Sequence, residues 1–141
     1  MFKYSTYSFF LCSLLAYFYS NNMGACTQDC EKYYDSTINA YVYTELDDPP
    51  QFHGGSSGII RFMAKNFKYP EQEELQASFV VEIILDKDGS IKSQKIKSKD
   101  SSELTEAEIS LLNIVRKMPS WKPGKCKGKN VISRVYLPVK I

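Results

Sequence analysis

Four cysteines, a single histidine and scattered carboxylates are the residues of this chain with the chemistry to react or to ligate. His53 lies beside Gly54-Gly55 and is the one imidazole that Cys26 and Cys30 could recruit, so the pattern reads as a solvated loop histidine and no metal site is expected. Glu71, Glu73 and Glu74 cluster in a polar connector, where paired carboxylates without a pocket to raise a pKa act as surface charge. There is no nucleophile elbow, no glycine-rich phosphate cradle and no histidine pair. The chain therefore reads as a non-enzyme that needs no cofactor.

The cysteines point instead to export. Met1 to Ala25 carries one charge, Lys3, followed by the apolar run Phe9 to Phe18, the layout of a secretory signal peptide. A membrane-spanning helix needs about 20 apolar residues, more than this run offers, which leaves a retained anchor as the second reading. Met23-Gly24-Ala25-Cys26 resembles a bacterial lipobox, with Cys26 as the lipid acceptor; the competing reading makes Cys26 a disulfide cysteine. With Cys26 lipidated and Cys12 removed, Cys30 and Cys126 remain as an even pair able to form a disulfide in an oxidising compartment. Otherwise three thiols remain and one is spare. The expected product is periplasmic, or a lipoprotein attached to the outer membrane.

Length and composition bound the architecture that must position these residues. A chain of 141 residues has room for one domain with a real core, and 43% hydrophobic against 24% charged residues excludes wholesale disorder. A net charge of +2 gives no reason to expect nucleic acid as a partner. Pro49-Pro50 and Gly54-Gly55 punctuate the chain, dividing it into a signal peptide (1–25), a tail or linker (26–49) and a domain (50–141). Tyr41-Val42-Tyr43, within the tail, reads as a short edge strand or an ordered tail.

Within the domain, Ile59, Ile60, Met63 and Phe67 fall at helical spacing, in a helix capped by Ser56 or Ser57 and ended near Tyr69 by Pro70. Ser78 to Asp86 alternates as a half-buried strand, and Asp86 to Ser90 supplies a turn with Gly89 available for positive φ. The returning strand, Ile91 to Ser98, places Ile91 and Ile96 at opposite parity, which calls for a bulge. Thr105-Glu106-Ala107-Glu108 is a capping box opening a second helix with the stripe Ala107, Leu111, Ile114, Val115, Met118. Trp121 reads as pinning the exit of that helix against the sheet, with a binding anchor as the alternative, and Lys122-Pro123-Gly124-Lys125 suits a type II turn. The last strand runs from Asn130 to Ile141, with Pro138 confining it to an edge on at least one side. The fold class is α+β: helix, strand, strand, helix, strand, forming an antiparallel three-stranded sheet with two helices on one face.

Pro50-Gln51-Phe52-His53-Gly54-Gly55, Asn66-Phe67-Lys68-Tyr69-Pro70, Asp88-Gly89, Glu106-Ala107, the run Met118 to Lys125, Gly128 to Val131 and Leu137-Pro138-Val139 occur in order over about two-thirds of the chain. Together they resemble the TonB C-terminal domain family, in the form found in Bacteroidetes-type envelope proteins. The connector Glu71 to Gln76 is shorter than the family's, and Ala77-Ser78 stands where it carries a glycine. The S-x-x-x-H anchor pattern of full energy transducers is missing, as is their long Pro-rich spacer: Cys26 to Gln51 reaches at most about 80 Å.

The resemblance implies that a short receptor segment is received along the final strand. Asn130, Val131, Ile132, Ser133, Arg134, Val135 and Tyr136 are the candidate contacts, with Arg134 and Tyr136 projecting beside the added strand. Proline in place of Val135 is expected to abolish capture and spare the fold. The same edge could instead be covered by Tyr41-Val42-Tyr43 or by a second copy in a homodimer. The expected partner is an envelope protein, a TonB-dependent receptor being the foremost candidate. The alternatives are an energy transducer anchored in the inner membrane and a self-associating structural protein.

Overall fold

In the computed structural model, which describes residues 29–68 and 78–140, the alternation of Ser78 to Leu85 becomes the central ribbon of the molecule. The elements are β1 (Lys32–Asp35), β2 (Ala40–Tyr43), α1 (Gly55–Asn66), β3 (Ser78–Leu85), β4 (Ile91–Ile96), a 3-10 turn (Ser101–Glu103), α2 (Glu106–Arg116), β5 (Lys125–Cys126), β6 (Lys129–Asn130) and β7 (Ser133–Lys140). Val81, Ile83 and Leu85 point to one face of β3 and are sealed there with Leu111 and Val115 of α2. Ile59, Phe62 and Met63 of α1 and the following Phe67 pack on the same cluster, so both helices cover one face of the sheet. Ile84 points the other way, against Val42 and Ile132.

The class is α+β, but the sheet corrects the three-stranded antiparallel expectation. Among the described residues it has five strands in the order β1-β2-β7-β3-β4, and it is mixed: β2 meets β7 in parallel at Tyr43 and Ser133. The two extra strands come from the segment read as a tail. Tyr33 and Val42 face inward while Tyr34 and Tyr41 stack edge to face on the outside, a period-2 pattern obscured by aromatic residues on both faces of four-residue strands. The hairpin lies before Pro49-Pro50, yet it shares the sheet of the residues after it. A disulfide joins Cys30 to Cys126.

Local detail follows the sequence in some elements and departs from it in others. Thr105 Oγ1 accepts from the Glu108 N–H at 3.3 Å and Glu108 Oε2 accepts from the Thr105 N–H at 2.9 Å, completing the capping box. The full stripe from Ala107 to Met118 is buried. The bulge falls at Lys92, because Ile84 faces Ser93 while Leu85 faces Ile91, and this brings Ile91 and Ile96 to one side. By contrast, α1 begins at Gly55 behind Gly54 with no serine cap, and it turns Ile60 to solvent while Phe62 takes the inward place. The Tyr69-Pro70 stop, the Glu71 to Gln76 connector and Ile141 lie outside the described residues.

Two glycines hold the loop layer against the sheet. Gly89 sits at φ 85° in the β3–β4 turn, its carbonyl accepting the Trp121 N–H at 2.8 Å, and a Cβ there would lie 1.8 Å from the Trp121 carbonyl oxygen. Gly124 does not supply the positive φ of a type II turn. It supplies space, since a Cβ would lie 2.6 Å from Leu46 Cδ1 and 3.1 Å from Ser133 Oγ. The chain from Asp48 to Gln51 pairs with Lys122 to Lys125 on either side of this close approach. The expected continuous strand from Asn130 is divided: Lys129–Asn130 returns on Lys125–Cys126 through the Lys127-Gly128 turn, and Val131-Ile132 links it to β7.

Candidate partner-binding edge

β7 is bound along one side by β3, with every residue from Ser133 to Lys140 in antiparallel register against Leu85 to Ser78. Its backbone groups alternate in direction. The Ile132 carbonyl accepts the Tyr43 N–H at 2.9 Å and so points toward β2; the Val80 carbonyl accepts the Lys97 N–H at 2.8 Å and so points toward β4. Strand alternation then directs Ser133, Val135, Leu137 and Val139 at β3, and Arg134, Tyr136, Pro138 and Lys140 at the opposite side. On that side, among the described residues, β2 pairs only at Ser133, and no strand pairs with β7 beyond it. Pro138 presents its missing N–H to this open side, the one orientation in which it leaves the internal ladder intact.

The seven candidate contacts separate into two groups. Asn130 belongs to β6, and its side-chain amide donates to the Lys87 carbonyl at 3.1 Å, which steadies the β3–β4 turn. Val131 and Ile132 are buried, with the Val131 N–H on the Gly124 carbonyl. Ser133 is enclosed between β2 and β3. Arg134, Val135 and Tyr136 alone lie on the open length, and Leu137 to Lys140 extends it. The backbone parity that separates Val135 from its neighbours depends on which strand lies alongside, so side-chain pattern does not reveal it.

The two faces beside this edge differ in chemistry. On the face away from the helices, the Arg134 guanidinium lies 5.0 Å from both the Tyr33 and the Tyr136 ring centroids, and Lys97 Nζ lies 4.8 Å from the Tyr136 ring. Glu82 is buried below them, with Lys95 at 3.3 Å. Burial raises the pKa of the Tyr136 phenol, opposed by Arg134 and reinforced by Glu82, so the ring stays neutral. On the helix face, a groove of 390 Å³ runs between α1 and the end of β7, lined by Ile59, Ile60, Met63, Ala64, Leu137 and Val139. A strand laid on this edge would alternate between a cationic aromatic surface and an apolar trough.

The remaining chemistry-bearing residues among the described ones do not converge on the edge. Among the described residues, the side chains of Cys30, Asp47 and Cys126 come within 4.8 Å of one another, but the two sulfurs are bonded together and are not available as thiolates. Trp121 is buried in T-shaped contact with Phe52 at 5.1 Å, a packing residue of the loop layer. Among the described residues no helix is long and apolar enough to cross a membrane. The segment read as a signal peptide (1–25) and Cys26, the expected lipid acceptor, lie outside the described residues.

An α+β domain with its helices on one face and a long strand open along one side is a scaffold suited to taking up an extended chain. The chain matches the family model of the Gram-negative bacterial TonB protein C-terminal over residues 65–140, more than half its length, and it belongs to that family. The family is a non-enzymatic protein-interaction domain, which gives this chain a TonB-like interaction role in the bacterial envelope. Neither the curated proteins nor the solved structures contain a match.

Proposed function

We propose that the protein captures an extended segment of an outer-membrane or periplasmic partner, a TonB-dependent receptor foremost, by adding it as a strand to β7. The observation that carries this reading is the outward backbone of β7 beyond Ser133, with no strand paired to it among the described residues. Apolar side chains of one parity would enter the trough between α1 and β7, and polar or acidic side chains of the other would face Arg134 and Lys97. Export directed by residues 1–25 and a lipid on Cys26 would hold the domain at a membrane facing the periplasm. No catalysis, cofactor or nucleic acid enters this function.

The test replaces Tyr136 in two ways. Tyr136→Pro removes the outward N–H, and Tyr136→Thr removes the ring but keeps the N–H. Binding is measured to extended peptides of alternating apolar and acidic residues and to peptides copying periplasm-facing receptor segments. Strand addition requires Tyr136→Pro to lose most of the affinity while Tyr136→Thr retains much of it. Equal affinity for both variants would refute it.

A further inference from the structure

We infer that the β1–β2 hairpin is a built-in register stop, clamped by the Cys30–Cys126 disulfide, so that a captured segment pairs only with Arg134 to Pro138. The inference rests on strand capture by β7 and adds its limits. β2 lies in line with the path an added strand would take, running parallel to β7 and meeting it at Ser133 through the Tyr43 N–H. An incoming strand cannot pair farther back without displacing it. The other limit is Pro138, which offers a carbonyl but no N–H to the open side. From the hairpin's contact at Ser133, the open length up to and including the proline is five residues, Arg134 to Pro138.

The stop is fastened by three independent attachments. Val42 is fully buried against Ile84 and Ile132, which anchors β2 from beneath. Tyr33 of β1 stacks on Arg134, the first residue of the open window, tying the hairpin to the strand it limits. Cys30, two residues ahead of β1, is bonded to Cys126 of β5, 96 residues away in sequence, and β5 is paired to β6 just upstream of β7. The covalent link therefore joins the chain entering the hairpin to the segment leading into the capturing strand.

The experiment measures affinity against peptide length, using fluorescent alternating threonine–valine peptides of five, seven and nine residues. In the oxidised wild-type chain affinity should level off at five residues. In a Cys30→Ser, Tyr43→Pro variant, which lacks both the clamp and the Tyr43 N–H, it should rise about fivefold or more between five and nine. Wild-type affinity that keeps climbing to nine residues would overturn the register stop, whether or not the variant folds. A variant that folds, shown by retained amide protection in α2, but keeps the five-residue plateau would overturn it too. If capture stands and only the stop fails, the Tyr136 amide is still protected by peptide. If capture itself fails, no peptide of any length protects that amide, and both readings fall.

Discussion

Glu108 is the most informative single residue for the physics of this fold, because it is fully buried, charged and doubly used. One carboxylate oxygen closes the capping box on the Thr105 N–H at 2.9 Å, and the other meets Lys99 Nζ at 2.7 Å. Glu108→Gln keeps a cap acceptor of the same shape and removes the charge. A charge-assisted bond is worth about 1.5–3 kcal/mol. Lys99 is 39% exposed and regains water when its partner is neutral, so the expected loss is about 1 kcal/mol. With a slope of about 2 kcal/mol per molar urea, that moves the unfolding midpoint down by about 0.5 M at pH 7. Burial alone would raise the Glu108 carboxyl; the bonds from Lys99 and Thr105 outweigh it and hold the pKa below the ordinary value. A depressed folded pKa stabilises the protein above the unfolded value of about 4.3, and that stability is lost as pH falls through the folded value. The gap between wild type and Glu108→Gln should therefore close in acid. A gap that is absent at pH 7, or that does not narrow as the pH falls below the unfolded value, would refute the assignment.

Packing and covalent structure supply two further tests. Gly89→Ala forces a side chain into positive φ, at about 1–2 kcal/mol, and against the Trp121 carbonyl, so the total loss in urea unfolding should reach about 2–4 kcal/mol; a loss under about 1 kcal/mol would mean that the turn does not dock on Trp121. Replacing both Cys30 and Cys126 with serine opens a loop of 96 residues in sequence separation, whose closure entropy is worth at most about 4–5 kcal/mol, and calorimetry should show a loss within that bound and above about 2 kcal/mol.

Legibility in the sequence tracks how local the governing interaction is. The capping box at Thr105, the stripe of α2, the alternation of β3 and the need for a bulge in β4 are all set by neighbours a few residues apart. Tyr41-Val42-Tyr43 is legible as a short strand able to lie against the last one, but β1 and the hairpin's place in the sheet are not, because Ser133, the partner in the sheet, lies ninety residues downstream of Tyr43 and the hairpin's tyrosines occupy both faces. Gly124 escaped for a related reason: its purpose is room for Leu46 and Ser133, which only the folded chain brings near. The direction of backbone bonds in β7 was also hidden, with a practical consequence. Val135 points at Ile83 of β3, so proline there would cut the internal ladder and damage the fold, and Tyr136 is the position that tests the open edge.

The most direct measurement of strand capture is hydrogen exchange at the β7 amides with and without a bound peptide. Strand addition predicts that peptide slows exchange at Tyr136, whose N–H faces the open side. Val135 and Leu137, already bonded toward β3, should be slow in both states. Peptide binding that leaves Tyr136 exchange unchanged would show that capture occurs elsewhere, and would contradict strand addition to β7.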